Sequence, residues 1–213
     1  MKILGCQIIR AFSPNTNQVA LTFDDGPHPK MTPKILEILD YTKSRATFFV
    51  TGENLIANRE LAKLIHSRGH LLGNHTFSHP NALLAGRGKL QDEIYRSKSL
   101  IEDITGKTNR IFRPPYGIIT PTLLSICRNL ELSIILWNSN SKDYRMEKPE
   151  VIVKRIEGKI RAGSIVLFHE CHFKKISIDY NGTLSALKSV VEILIMKKLQ
   201  PVILDMKPDG SFR

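Results

Sequence analysis

The chain has 213 residues, 42% of them hydrophobic and 24% charged, with 13 glycines and 11 prolines, which excludes a disordered tail, a collagen-like fibre and a disulfide-rich miniprotein. Lys and Arg number 31 against 20 Asp and Glu, a net charge of +11 with no block of like charge, so it reads as a solvated basic surface and no nucleic-acid partner is expected. Cys6, Cys127 and Cys171 are odd in number and widely spaced, which makes neither a disulfide framework nor a metal knuckle. No stretch approaches the roughly 20 apolar residues of a membrane span. The first ten residues are too short and interrupted for a signal-peptide core. The expectation is a cytoplasmic chain, or an extracytoplasmic one if a leader has been removed.

Short apolar runs rich in β-branched residues predict strands at residues 19–23, 46–50, 71–73, 110–112, 133–137, 164–168 and 201–204. Helical periodicity between them predicts helices at 33–42, 59–67, 90–104, 121–129, 149–160 and 183–198. Pro33, Pro121 and Pro149 suit first helical turns, where a missing N–H costs nothing, and Gly69 and Gly163 suit C-terminal caps. Strand and helix alternating at this spacing predict a parallel sheet, open or nearly closed into a barrel. No linker or repeat divides the chain, so residues 1–213 are expected to form a single domain. A G-x-G-x-x-G phosphate loop is absent, which argues against a dinucleotide fold.

In such folds the working residues lie just beyond the carboxyl ends of the strands. Applied here, that rule collects Asp24 and Asp25, His75 and His79, Arg113 to Tyr116, Trp137 with Asp143 beyond it, and His169 on one rim. His75 and His79, at i and i+4, would face one ion from one side of a helical turn. His66 and His70 share that spacing but straddle Gly69, a geometry that should not chelate. Adjacent carboxylates at a strand end point in different directions, so one can bind a cation while its neighbour handles a proton. The same Asp-Gly-Pro run also reads as a plain turn. Side by side next to an apolar strand, two anions demand compensation, which Arg113 and a divalent metal would give. Asp25, His75 and His79 make three N/O ligands with a position left for water, the pattern of catalytic zinc. His169 suits a general acid and Asp143 would hold its imidazole, although a lone histidine and a loop aspartate also read as ordinary structure.

The runs TFDDGP at 22–27, ATFFVTG at 46–52, GNHTFSH at 73–79, FRPPYG at 112–117 and IVLFH at 165–169, in this order, resemble the polysaccharide deacetylase family, the NodB-homology domain of carbohydrate esterase family 4. The resemblance runs from Val19 to about Leu204. It implies an α/β fold of NodB type, a distorted (β/α) barrel of about seven parallel strands. It further implies a metal on Asp25, His75 and His79: zinc, or another divalent ion such as cobalt or nickel. Asp24 would be the base acting on metal-bound water, and Arg113 would orient it. Tyr116 would offer a backbone N–H to the oxyanion, and His169, tuned by Asp143, would protonate the departing amine. Trp137 and Leu167 would line the acetyl pocket, with Pro114 and Tyr116 also contacting substrate. The reaction implied is hydrolysis of N-acetyl groups from an N-acetylglucosamine polymer or oligomer, such as peptidoglycan or a chitin-like chain, releasing acetate. The alternatives are a different acylated substrate, or a non-catalytic carbohydrate-binding relative.

The fourth motif departs from the family's Asp-x-x-Asp-Trp: Asn140 and Tyr144 stand at its first and last positions, with Asp143 retained. An altered substrate shape is the expected result. A second metal site at Cys171 and His172 finds no partner at ligand spacing, and His28 is expected on the rim rather than as a fourth ligand.

Overall fold

The computed structural model describes residues 1–13, 16–171, 180–207, 209, 211 and 212. In chain order the elements are β1 (Lys2–Ile3), β2 (Cys6–Ile9), β3 (Gln18–Asp24), α1 (Met31–Tyr41), β4 (Ala46–Val50), α2 (Gly52–Ala57), α3 (Arg59–Ser67), β5 (Leu71–Asn74), α4 (Arg87–Thr105) and β6 (Ile111–Phe112). After them come α5 (Pro121–Asn129), β7 (Ser133–Ile135), β8 (Ser139–Asn140), α6 (Pro149–Ile156), β9 (Ile165–His169), α7 (Asn181–Met196) and β10 (Gln200–Pro201). Single 3₁₀ turns occupy Pro115–Gly117 and Asp143–Arg145.

The strands form one curled sheet in the order β1-β2-β7-β6-β5-β4-β3-β9-β8, with β10 added beside β3. Every pairing is parallel except the β1–β2 hairpin. β4 is buried along its whole length and β3 beyond its first residue, because helices cover one face of the sheet and the barrel interior covers the other. Side chains alternate along β3. Val19, Leu21 and Phe23 point outward into the large core shared with α1, α6 and α7. Ala20 points inward, where it joins Ile9, Phe49, Ile111, Ile135 and Ile165 in a smaller plug. By the same period Thr22 and Asp24 face the barrel interior above that plug.

The predicted strand at 133–137 is in fact a crossing. Leu136 donates its N–H to Ile9 of β2 at 2.7 Å, and Asn138, two residues on, donates to Ile165 of β9 at 3.3 Å. The segment that begins as β7 near one end of the sheet thus ends as β8 at the other, and the chain itself closes the barrel. Trp137 sits at the handover, outside both strands. Of the other expected strands, 201–204 is reduced to β10. The helices α1 and α4 start earlier than predicted, at Met31 and Arg87, with Pro33 still in the first turn.

Candidate active site

Arg113 fills the barrel above its apolar plug and is fully buried. Its guanidinium stacks on Phe49, 4.0 Å from the ring centroid. Nε and Nη2 donate to the carbonyls of Ile135 and Leu136 at 3.1 and 3.2 Å, and Nη1 donates to Thr22 Oγ1 at 2.8 Å and Asp24 Oδ1 at 2.7 Å. Thr22 passes its own hydroxyl proton to the Val166 carbonyl at 2.7 Å. The polar contacts of Arg113 are therefore to β3, to the end of β7 and to the residue that follows it. A buried charge pair of this kind costs about 3–5 kcal/mol to break, because the surviving charge stays buried.

Asp25 leaves the strand direction. Its φ of 71° is left-handed, an uncommon state for a non-glycine residue, and it swings the carboxylate away from Asp24. The Asp25 N–H donates to Phe49 O at 3.1 Å, and Asn54 of α2 donates to the Asp25 carbonyl at 2.6 Å. Two histidines meet the carboxylate: His75 Nε2 lies 3.4 Å and His79 Nε2 lies 3.3 Å from Oδ1. These histidines do not ride a helical turn. Residues 75–79 form an irregular loop in which Thr76 and His79 have φ of 68° and 57°. The i, i+4 spacing brings the rings together, centroids 5.0 Å apart, by loop geometry. Glu93 of α4 fastens that loop, accepting from the N–H groups of Phe77 and Ser78 at 3.0 and 2.6 Å and from Ser78 Oγ at 2.6 Å.

His75 Nδ1 faces the carbonyl of Arg113 at 2.7 Å, and a carbonyl only accepts, so Nδ1 carries the proton and Nε2 keeps a lone pair. That lone pair points at Asp25 Oδ1, a buried oxygen with no hydrogen-bond partner among the described residues. Two electron-rich atoms at 3.4 Å repel unless a cation lies between them. Burial and the neighbouring His75 push the His79 imidazole down to about 3, so it is a neutral donor at physiological pH. Burial opposes ionisation of Asp25, but the imidazoles of His75, His169 and His79 around it hold its carboxyl below the usual carboxylate range. The three ligand atoms lie within 4.8 Å of one another and fit a divalent metal.

Across the pocket, the last residue of β9 is His169. Its Nδ1 donates to Asp143 Oδ1 at 2.8 Å, and its backbone N–H donates to Oδ2 at 2.9 Å. Asp143 is 1% exposed, not the solvated loop residue its position suggests, and takes further bonds from Ser141 Oγ at 2.8 Å and Thr183 Oγ1 at 3.1 Å. Burial alone would lower the His169 pKa. Asp143 overrides it by charge and hydrogen bond, with Asp25 and Asp24 adding to the effect, and raises it to about 9. Tyr144 packs edge-on against this imidazole, centroids 5.4 Å apart, and Tyr116 packs on His79 at 4.8 Å.

These groups enclose a pocket of about 380 Å³, walled by Asp24, Asp25, His75, His79, Tyr116, Trp137, Asn140, Tyr144, Leu167, His169 and Cys171. The sequence profile of the family described as "Polysaccharide deacetylase" matches residues 13–135, which carry both carboxylates, both histidines and Arg113. The chain belongs to the polysaccharide deacetylase family. It is 34% identical over 73% of its length to a peptidoglycan-N-acetylglucosamine deacetylase of Bacillus cereus, but that match spans only 56% of the relative. A chitooligosaccharide deacetylase of Azorhizobium caulinodans is 33% identical, with 95% of this chain and 100% of that protein covered. Among solved structures, a peptidoglycan N-acetylglucosamine deacetylase superposes with a TM-score of 0.88 at 30% identity, covering 93% of this chain and 91% of the other. A family 4 pseudoenzyme from Bacillus anthracis superposes with a TM-score of 0.83 at 28% identity, covering 93% of this chain and 67% of the other, so this fold occurs with and without turnover.

Some members of this polysaccharide deacetylase site stand differently from expectation. Pro114 is buried and absent from the pocket wall, its carbonyl accepting from Gly117 N–H at 2.9 Å. His28 is buried rather than on the rim, and its Nδ1 accepts from the N–H groups of Lys30 and Met31 at the start of α1. His70 accepts the Ala46 N–H at 3.2 Å, away from the site. His172 lies outside the described residues. Thr22 and Glu93 were not singled out as site residues from the sequence, and Cys171 was weighed there only for a second metal site with His172. Glu93 had a signal, as an acid on the face of α4 that buries Leu90, Ile94 and Ser97.

Proposed function

We propose that this protein hydrolyses the N-acetyl group of N-acetylglucosamine units in a polymer or oligomer, releasing acetate and a free amine. One observation carries the reading: adjacent carboxylates are divided between two sets of partners, Asp25 with His75 and His79, Asp24 with Arg113, and both face the His169–Asp143 pair across one pocket. Zinc suits the three donors held by Asp25, His75 and His79, with cobalt or nickel as alternatives of like preference. When bound, such a metal polarises the amide carbonyl and makes a water acidic enough to attack it.

The protein's own residues do the rest. Asp24 gives one oxygen to Arg113 and keeps Oδ2 to take the proton of the attacking water. Arg113, anchored to the barrel wall, prevents the base from rotating. Tyr116 supplies a backbone N–H to the charge that develops on the carbonyl oxygen. His169, protonated over its Asp143 partner, donates to the departing nitrogen, which is otherwise a poor leaving group. Trp137 and Leu167 form the apolar wall for the methyl group, and the exposed rings of Tyr116 and Tyr144 offer faces for the sugar. The names of the relatives support the substrate class, peptidoglycan N-acetylglucosamine in one and chitooligosaccharide in the other.

The test is acetate release from N-acetylglucosamine oligomers and from peptidoglycan, with zinc added and with a chelator. Zinc-dependent release from either substrate, lost on chelation, is expected. Release that persists after complete removal of metal, or none from any N-acetylated sugar, would overturn the reading.

A further inference from the structure

Cys6 opens β2 and Cys127 lies near the end of α5, far apart in sequence, yet both sit in one buried cluster with Leu123, Leu132 and Ile134. Several contacts fix this juxtaposition. A Cβ on Gly5 would fall 3.0 Å from Arg128 Cδ, and Arg128 Nη1 donates to the Leu4 carbonyl at 3.5 Å. The Cys6 thiol lies 3.6 Å from the carbonyl of Leu132, whose own N–H donates to the Cys127 carbonyl at 2.8 Å. Both thiols are buried and free. Cys171 is elsewhere, donating to the Asp25 carbonyl at 3.2 Å.

Cys6 forms part of the wall of a cleft of about 300 Å³. Lys2, Arg110, Arg128 and Lys207 also line it, against the two acids Glu131 and Asp209, so its charge is net positive. We propose that Cys6 and Cys127 are a thiol–disulfide site, oxidised by a small anionic disulfide that enters this basic cleft. Cys6 lines the cleft and Cys127 lies behind it, which makes Cys6 the attacking thiol.

The Cys6 thiolate attacks one sulfur of the external disulfide. The external S–S bond breaks, and one small thiol leaves carrying the proton that Cys6 lost. Cys127 then attacks Cys6 Sγ, the mixed disulfide breaks, and the second small thiol departs with the Cys127 proton. Two protein thiols are oxidised and one small disulfide is reduced to two thiols. The product ties β2 to α5. Because β2 pairs with β7, the tie braces the wall whose carbonyls hold Arg113.

The probe is oxidised glutathione, incubated with the native full chain before alkylation and peptide mapping without reductant. Expected are a Cys6–Cys127 link, an alkylated Cys171, and a thermal midpoint raised by roughly 5 °C or more and restored by dithiothreitol. At low salt, glutathione disulfide should react about tenfold faster than uncharged hydroxyethyl disulfide, an advantage that salt removes. Cys127→Ser should stop at a glutathione adduct on Cys6. Both thiols alkylated after native incubation, a link formed only once the protein unfolds, or equal rates for the two disulfides would overturn the proposal. The wild-type map decides the linkage even if the variant fails to fold.

Discussion

Asp24 lies on the inward face of β3 and Asp25 turns out of it, so neighbouring residues of one type carry separate tasks. Asp24→Asn should keep zinc bound, since Asp25, His75 and His79 are untouched, yet lower kcat by roughly 10²–10⁴-fold; acetate release at the wild-type rate would refute the assigned base. His79→Ala should weaken zinc by at least about a hundredfold, because loss of a direct ligand exceeds the usual cost of losing a residue behind one. Elemental analysis after dialysis checks this, and an unchanged metal content would refute it. His169 is raised to about 9, so its protonated, acid-competent form persists below that pH. Asp143→Asn should shift the alkaline limb of kcat/KM downward by roughly one unit or more, toward the ordinary histidine value. The sign for stability is the same. The pair contributes fully below about pH 6.5 and loses its contribution as pH rises through about 9, a trend that thermal midpoints of wild type and variant across pH would show. The ligands and carboxylates were legible in the sequence because strand-end motifs place them. Asp143 was legible only in part, since its burial depends on Thr183 and Ser141, which no local pattern links to it.

The loop between β5 and α4 is held by helices on two sides. Gly52 and Glu53 at the start of α2 donate to the carbonyls of Thr76 and Phe77, both at 3.0 Å, and Glu93 takes N–H groups from the other side. Gly52 has to be glycine, because a Cβ there would lie 2.2 Å from the Phe77 ring. Glu93→Ala should therefore strand two half-buried N–H groups, cost about 1–3 kcal/mol in denaturant unfolding, and weaken zinc about tenfold without removing a ligand. Stability lost with unchanged zinc affinity would show that the loop holds its shape unaided. At this scale the long elements were readable from periodicity and the short ones were not. The β1–β2 hairpin turns through Leu4 and Gly5 with φ of 48° and 78°, a turn usually marked by Asn-Gly or Asp-Gly, and leucine at its first position hides it. Helix α2 has six residues, too few to display a period.

Across the whole molecule, ligands from the ends of β3 and β5 converge on one point, so a bound metal joins segments that local fluctuations would otherwise separate. Binding to the native state alone adds about 4 kcal/mol at a thousandfold excess over Kd. At about 2–4 °C per kcal/mol for a chain of this size, zinc should raise the thermal midpoint by roughly 8–16 °C over chelated protein. A calorimetric midpoint that ignores zinc would count against the three-residue site. The parallel α/β architecture was legible from alternating strands and helices, but the manner of closure was not. One predicted strand changes partners at Trp137, and that exchange is fixed by contacts with Ile9 and Ile165, far away in sequence. The carbonyls of Ile135 and Leu136 at this handover also hold Arg113, and through it Asp24. The seam of the barrel thus stands behind Asp24, the proposed general base. A slight parting there would leave the apolar core intact but free the carboxylate, so turnover is expected to fall while the chain is still folded. Activity is therefore expected to fail on heating before the chain melts, which turnover and thermal unfolding followed on one sample would show.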